Sequence, residues 1–368
     1  LIRTATVAVH VLIRTATVAV HAEHNYRTCY RKAVANWNRR PGIVLSMSLD
    51  SSGLTQASSH ANSDAVHTVV VPAAGLGTRF LPTTKTVPKE LLPVVDTPGI
   101  EMIAEEAAAC GASRLAVITA PNKQEIMRHF ADFPELTDTL HTRGKEEQAR
   151  KVQRAGQLIH PVAVEQEQPL GLGHAVGLAA ELLDEHEDAF AVMLPDDLVL
   201  PMGVMEEMCR VRAQLGGSVL CAFEVAPEET VNYGVFDVEP ADEIAGLSND
   251  RVRKVRGMVE KPDAGQAPST LVAAGRYLLD REIFSALDRI TPGKGGELQL
   301  TDAIELLIQE SHPVHVVVHQ GTRHDLGNPG GFIPANVDFG LQHEKYGPAL
   351  YQSVKKILAE YEAEHGIS

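Results

Sequence analysis

From residue 66 onward the chain alternates two apolar patterns. Short runs rich in Val, Ile and Leu, bounded by Gly, Pro or polar residues, read as buried strands. They fall at 66–71, 115–119, 162–165, 190–194, 218–225, 233–238, 254–260, 271–278 and 314–320. Between them lie stretches with helical spacing, at 100–110, closed by Gly111 at the C′ position, and at 123–130. The alternation predicts an α/β fold, with a mixed, mostly parallel sheet flanked by helices. Residues 134–154 are polar, charged and helix-permissive, and read as an insertion on the surface. The stretch 348–366 puts Leu350, Val354, Ile357, Leu358 and Tyr361 on one helical face, the stripe of a helix that docks on its own core or on another subunit.

The first 64 residues follow a different pattern. The decapeptide LIRTATVAVH at 1–10 recurs without change at 12–21, whereas structural repeats diverge and stack in larger numbers. Arg27, Arg31, Arg39 and Arg40 precede a Ser-rich stretch at 46–63, a composition that a transit peptide shares. We expect residues 1–64 to form a disordered or non-native extension, with Met47 as the natural start. His21-Ala22-Glu23 matches half of a zinc-deaminase signature, but the P-C-x-x-C half is absent.

Composition narrows the function. Of 368 residues 44% are hydrophobic and 22% charged, enough for a large core. A formal net charge of −15 disfavours nucleic acid as a partner, and no apolar run has the length of a membrane span. Phosphates could be bound only by a local cluster of cations, with a metal. The four cysteines, Cys29, Cys110, Cys209 and Cys221, lack C-x-x-C spacing and read as thiols in a reducing, cytoplasmic setting.

Such a cluster follows the first strand. Val69–Phe80 reads V-V-V-P-A-A-G-L-G-T-R-F, with Lys85 and Pro88-Lys89-Glu90 close behind. A buried strand runs into a glycine turn, whose backbone N–H groups can approach phosphates, and cations come next. The run is not a Walker A loop, which requires G-K-[ST]. Nor is it a dinucleotide fingerprint, because Phe80 stands where the third glycine packs helix on strand. What remains, G-x-G-T-R and P-K-E, resembles the signature of the sugar nucleotidyltransferases. Downstream motifs bring the resemblance to the bacterial UTP–glucose-1-phosphate uridylyltransferase family. They are Q-E-Q-P-L-G-L-G-H-A from Gln166, L-P-D-D from Leu194, Tyr233-Gly234-Val235, V-E-K-P from Val259, A-G-R-Y from Ala274, G-G-E-L-Q-L-T-D from Gly295 and H-D-L-G-N from His324.

The resemblance implies a Rossmann-like nucleotidyltransferase domain over 65–345 and a carboxy-terminal amphipathic helix over 346–368 that takes part in a homodimer or homotetramer. It implies attack by glucose 1-phosphate on the α-phosphorus of UTP, assisted by Mg²⁺. Arg79 and Lys89 are the expected grips on the triphosphate, with Lys85 in a lesser part. Ala74, Gly75 and Gly77 supply backbone to the nucleotide. Gln166 offers a donor and an acceptor to uracil beside Gly171, and His174 fixes that loop. Asp196 is the expected metal ligand. Asp197 reads as a solvated helix cap held in reserve, and Asp325 either approaches the metal or holds its loop. Gly234, Glu260, Lys261 and Gly275 are the sugar-phosphate set, with Lys261 also catalytic. Where the family has G-D-E-I-Q-L-T-D, this chain has Gly296 and Leu298 but keeps Glu297 and Asp302. A dTTP-dependent or different-sugar enzyme is the nearest alternative. A catalytically silent regulatory homologue conflicts with the retained cations, and a nicotinamide dehydrogenase with Phe80.

Overall fold

The computed structural model describes residues 66–367 other than 245, 246 and 249. The amino-terminal repeat, Met47 and the rest of the expected extension lie outside them. Among the described residues the chain runs β1 (Thr68–Pro72), β2 (Pro93–Val94), β3 (Thr97–Pro98), α1 (Gly99–Ala109), β4 (Arg114–Thr119), α2 (Gln124–His129), α3 (Pro134–Thr142), α4 (Glu146–Leu158) and β5 (His160–Glu165). It continues with α5 (Leu172–Gly177), β6 (Ala189–Met193), β7 (Asp197–Leu200), α6 (Val204–Leu215), β8 (Ser218–Glu224), β9 (Gly234–Pro240), β10 (Val252–Glu260) and β11 (Leu271–Asp280). The last elements are α7 (Ile283–Leu287), α8 (Leu300–Gln309), β12 (Val314–Val318), β13 (Thr322–Asp325), α9 (Pro329–Gln342) and α10 (Gly347–His365).

The main sheet has the order β5-β4-β1-β6-β11-β8-β12-β10-β9. Pairing is parallel from β5 through β6, so the loops after β1, β4, β5 and β6 leave from one edge. β11 enters antiparallel between β6 and β8. β1 shows why the sheet is buried on both sides. Its valines alternate, Val69 and Val71 joining a core with Ile100, Ile103 and Met208, and Val70 joining another with Val176, Ile283 and Ala303. Helices α1 and α6 therefore cover one face, and α5, α7 and α8 the other.

The expected insertion forms α3 and α4, mostly exposed, with Thr137, Ala149 and Ala155 buried. The apolar stripe of α10 does not dock on the core beyond its first turns. Leu350 and Val354 are half-buried, but Ile357, Leu358 and Tyr361 are 61%, 53% and 52% exposed.

One polar interaction crosses the first core. Arg276 on β11 is fully buried, and its Nε and Nη2 donate to the carboxylate of Glu106 on α1 at 2.7–3.2 Å. Its Nη1 donates to the carbonyls of Asp197 at 2.7 Å and Gly275 at 3.2 Å. Removing one partner of a buried pair strands the other charge in low dielectric. Glu106→Leu is expected to destabilise the fold by about 3–5 kcal/mol, measured as a lowered urea midpoint; an unchanged midpoint would show the pair to be dispensable.

Candidate active site

The glycine turn begins where Ala73 N–H donates to Ile118 C=O at 2.7 Å, fastening β1 to β4. Gly77 lies in the left-handed region at φ 63°, and a Cβ there would come 3.1 Å from Thr84 Cγ2, so glycine is required. The Thr84 hydroxyl donates to the Gly77 carbonyl at 2.7 Å and folds the following 3₁₀ turns back over the loop. Those turns, Thr78–Phe80, Thr83–Lys85 and Lys89–Leu91, carry the expected cations. Phe80 meets Phe332 edge to face at 5.5 Å between centroids, the packing its side chain serves in place of a third glycine. Lys85 is exposed, whereas the Lys89 side chain passes beside Gly75 and pairs with Asp196.

Asp196 sits in the turn from β6 to β7, and its C=O accepts from Leu326 N–H at 2.7 Å. This bond and the β7–β13 pairing bring the loop of Asp325 alongside. A Cβ built on Gly327 would lie 2.9 Å from Asp325 Oδ1, 3.2 Å from Asp196 Oδ2 and 3.7 Å from Arg79 Nη1. Two carboxylates and a guanidinium thus converge on a point kept clear by a glycine. Asp325 also accepts from Gly327 N–H and from Asn328 Nδ2, both at 2.7 Å, so it holds its loop as well as facing Asp196. Burial would push the Asp196 carboxyl up, but the Lys89 ammonium outweighs it and holds the group below its ordinary range. Burial likewise opposes the charge on Lys89, yet Asp196 and Glu90 together hold its pKa above the usual lysine value.

Asp197 is not the solvated helix cap that its sequence position suggests. It is buried at the start of β7, its Oδ2 accepts from Gly275 N–H at 2.7 Å, and its Oδ1 lies 2.7 Å from Arg323 Nε. Burial pushes its carboxyl up against the pull of Arg323. Gly275 faces this acid turn. A Cβ on it would lie 2.7 Å from Leu194 Cβ, and its C=O accepts from Leu194 N–H at 2.8 Å. Both its backbone polar groups are therefore bonded within the protein.

On the base side, Gln166 is buried after β5 and its N–H donates to Thr119 C=O at 2.8 Å. Its Nε2 donates to Gly171 C=O at 3.3 Å and lies 2.8 Å from His174 Nδ1, which fixes the amide as the sequence suggested. The amide nitrogen is thus held internally. Gly171 has φ 105°, and a Cβ there would come 2.7 Å from Leu298 C=O. Gly295 and Gly296 are consecutive left-handed residues at φ 78° and 77°, so the departure at Gly296 puts glycine where the backbone favours it.

The sugar motifs meet on the neighbouring strands. Gly234 pairs with Glu260 in the β9–β10 register, and a Cβ on it would lie 3.3 Å from both Glu260 Oε2 and Thr301 Oγ1. Thr301 donates to Glu260 Oε2 at 2.7 Å, and Lys261 Nζ lies 2.9 Å from Glu260 Oε1. Lys261 has a positive φ of 46°, set by the turn in which its N–H donates to Tyr233 C=O at 2.9 Å. Burial and Glu260 push the Asp302 carboxyl up.

Arg323 and Lys123, which carry this geometry, had no motif of their own, and Thr301, inside the G-G-E-L-Q-L-T-D run, had been given no part. Thr301 orients Glu260. Arg323 bridges the halves: besides Asp197, it stacks on Phe223 and Tyr233 with its Cζ 4.6 and 5.1 Å from the ring centroids. Lys123, at the start of α2, reaches under the glycine turn to Ala73, Gly75 and Glu90. Arg323 stands two residues before Asp325 and could have been noticed there; nothing in the local pattern marks Lys123. Elsewhere, Asp280, Glu282 and His312 bring ligand atoms within 4.8 Å of one another. They sit at the far end of β11, where Asp280 pairs with Arg212 and His312.

The site thus belongs to an α/β protein that gathers cations and carboxylates around a glycine turn, the class of enzymes that act on nucleotide phosphates. Residues 68–340 match the model of the nucleotidyl transferase family, and the chain belongs to that family. It is 39% identical over 299 residues to the UTP–glucose-1-phosphate uridylyltransferase of Bacillus subtilis, covering 81% of this chain and 99% of the relative. It is 37% identical to the enzyme of the same name from Staphylococcus haemolyticus, over 78% and 97% of the two chains. Among solved structures it is similar to a UTP-bound UDP-glucose pyrophosphorylase from Acinetobacter baumannii, with TM-score 0.70, 34% identity, and 78% and 98% of the chains covered. No helix among the described residues is long and apolar enough to cross a membrane.

The contact between Gly171 and Leu298 yields a direct test. Gly171→Ala puts a side chain at a strained φ against a carbonyl and is expected to cost about 1–3 kcal/mol, read by urea unfolding of the ligand-free protein; wild-type stability would show that the loop adapts freely.

Proposed function

We propose that the protein joins UTP to glucose 1-phosphate, releasing pyrophosphate and forming UDP-glucose. One observation carries the reading: a run of contacts and short covalent steps joins the nucleotide motifs to the sugar-phosphate motifs. It runs from Lys89 to Asp196, through neighbouring Asp197 to Arg323 and Tyr233, across Gly234 and Glu260 to Thr301, and through Leu298 and Gly171 to Gln166. Gln166 N–H in turn bonds Thr119 C=O at the end of β4, the strand beside β1. The extent of the match to enzymes named for this reaction supports it.

In this reading an oxygen of the sugar phosphate attacks the α-phosphorus in line, its bond forms as the bond to the pyrophosphate oxygen breaks, and pyrophosphate leaves. The attacking phosphate is already ionised, so positioning and charge neutralisation suffice without a general base. Ala74, Gly75 and Gly77 face the phosphates with backbone, and Arg79 grips the leaving pyrophosphate. Lys89 exchanges Asp196 for the α-phosphoryl group as charge grows there. Gln166 Oε1 accepts from uracil N3–H. Glu260, held by Thr301 and next to Gly234, accepts from glucose hydroxyls, and Lys261 binds the 1-phosphate. Gly275 serves this set by placing the acid turn.

The hard carboxylate oxygens of Asp196 and Asp325, which face one cleared point, suit Mg²⁺. The ion, when bound there, supplies charge neutralisation to the triphosphate. The exposed stripe of α10 supports a homodimer or homotetramer. Thiols at Cys110, Cys209 and Cys221, with a nucleoside triphosphate as substrate, support a cytoplasmic setting.

Pyrophosphate release with Mg²⁺ and glucose 1-phosphate is expected with UTP in preference to dTTP, a base discrimination of about 1–3 kcal/mol. Preference for dTTP would move the protein to the thymidylyl branch, and release with neither would favour a silent homologue. Lys261→Ala is expected to raise KM for glucose 1-phosphate about 10- to 100-fold, the loss of a charged hydrogen bond, while KM for UTP stays near wild type. Asp196→Ala is expected to abolish metal-dependent turnover. Unchanged kinetics in either variant would remove that residue from its role.

A further inference from the structure

Lys123 lies beneath the glycine turn rather than beside any substrate group. It is 8% exposed and stands at the start of α2, beyond the end of β4. Its ammonium has three donors and no acceptor, and all three are engaged. Nζ donates to Ala73 C=O at 2.7 Å, to Gly75 C=O at 2.5 Å and to the Glu90 carboxylate at 3.0 Å. The Glu90 side chain has no solvent exposure and immediately follows Lys89 in the chain.

The orientation of the loop follows from those bonds. In a planar trans peptide the C=O of one residue and the N–H of the next point in opposite directions. With the carbonyls of Ala73 and Gly75 drawn to the same ammonium, the N–H groups of Ala74 and Leu76 face away from it. Among the described residues, no acceptor takes the N–H of Ala74, Gly75, Leu76 or Gly77. One buried cation therefore turns two carbonyl dipoles inward and leaves the N–H groups of Ala74 and Leu76 outward, as an anion nest requires. Through Glu90 the same cation fixes the 3₁₀ turn of Lys89, whose side chain passes beside Gly75. Nest and cation are set by a single atom.

We propose that Lys123 is a positioning residue for the triphosphate: it touches no substrate, but orients the phosphate-facing N–H groups and places Lys89. The inference rests on the UTP reading above, and it goes beyond that reading in assigning UTP affinity to a residue outside the substrate-contacting set. Burial pushes the Lys123 ammonium down from its ordinary pKa against the pull of Glu90. A buried pair of this kind is a poor source of stability, which agrees with a geometric role.

The test compares wild type, Lys123→Met and Lys123→Arg by pyrophosphate release, with UTP and glucose 1-phosphate varied separately. Urea unfolding of each protein confirms that it is folded. Folded Lys123→Met is expected to raise KM for UTP at least about tenfold, the loss expected when charged hydrogen bonds are removed, with KM for glucose 1-phosphate unchanged. Lys123→Arg keeps the charge opposite Glu90, but its donors spread over a planar fork that cannot converge on two carbonyls from one atom. It too is expected to raise KM for UTP selectively, and it carries the test if the Met variant does not fold. Wild-type KM for UTP in a folded variant overturns the proposal. So does a loss confined to unfolding midpoint, or an equal rise in both KM values, because a purely structural residue would give either. Absence of UTP-dependent turnover in wild type would instead overturn the UTP reading, separating the two failures.

Discussion

A guanidinium with no access to water lies under the turn that carries the site's acids. Arg276 could not be desolvated there without Glu106, and Glu106 could not face the apolar core from α1 without Arg276. Such a pair adds little net stability, since the loss of hydration nearly cancels the attraction. Its consequence is geometric. The remaining donors of Arg276 hold the carbonyls of Asp197 and Gly275. The turn bearing Asp196 is therefore fixed by the core rather than by the loops around it, as a site that must place reacting groups closely requires.

The same logic of prepared charge runs through the rest of the site. A chain with a net charge of −15 must draw two polyanions together. Four of its cations rest on carboxylates: Lys89 on Asp196, Lys261 on Glu260, Lys123 on Glu90 and Arg323 on Asp197. Lys123 also bonds the backbone of the glycine turn, and Arg323 also stacks on Phe223 and Tyr233, so both hold backbone and strands in place. Lys89 and Lys261 set their ammonium groups against the carboxylates of Asp196 and Glu260. Lys123 and Arg323 tie distant segments together, whereas Lys89 and Lys261 stand in short local motifs, P-K-E and V-E-K-P.

That division also marks what the sequence revealed. The β-branched run of β1 marked the strand and its turn, because strand period and glycine chemistry are local properties. Gln166, Gly171, Asp196, Glu260 and Lys261 lie in short motifs at or just after strand ends, and could be proposed from the sequence for the same reason. Lys123 and Arg323 could not be, since their partners lie 33–50 and 90–126 residues away and no local periodicity records such contacts. The four-residue strands β7 and β13 were missed because their pairing is equally distant. Helix α9 was missed because Pro329-Gly330-Gly331 and Pro334 read as loop, although Asn328 caps it by accepting from Gly331 N–H. Asp197 was misread because its burial depends on Arg323, which is absent from its local sequence.

The link between the two halves of the site rests on close backbone approach as much as on charge. Gly171 and Gly173 admit Leu298, whose C=O accepts from Gly173 N–H and whose N–H donates to Leu170 C=O, both at 2.8 Å. A side chain on either glycine would push this segment away. Helix α8 begins directly after it, and Thr301 in the first turn of that helix orients Glu260. A shift of the base loop is therefore transmitted through a few covalently linked residues to the sugar carboxylate. The left-handed pair Gly295-Gly296 leads into this segment, and its placement there lets the chain turn sharply into the contact without strain. The two sets of motifs are thus joined through a few residues, the arrangement that two substrates held in register would need.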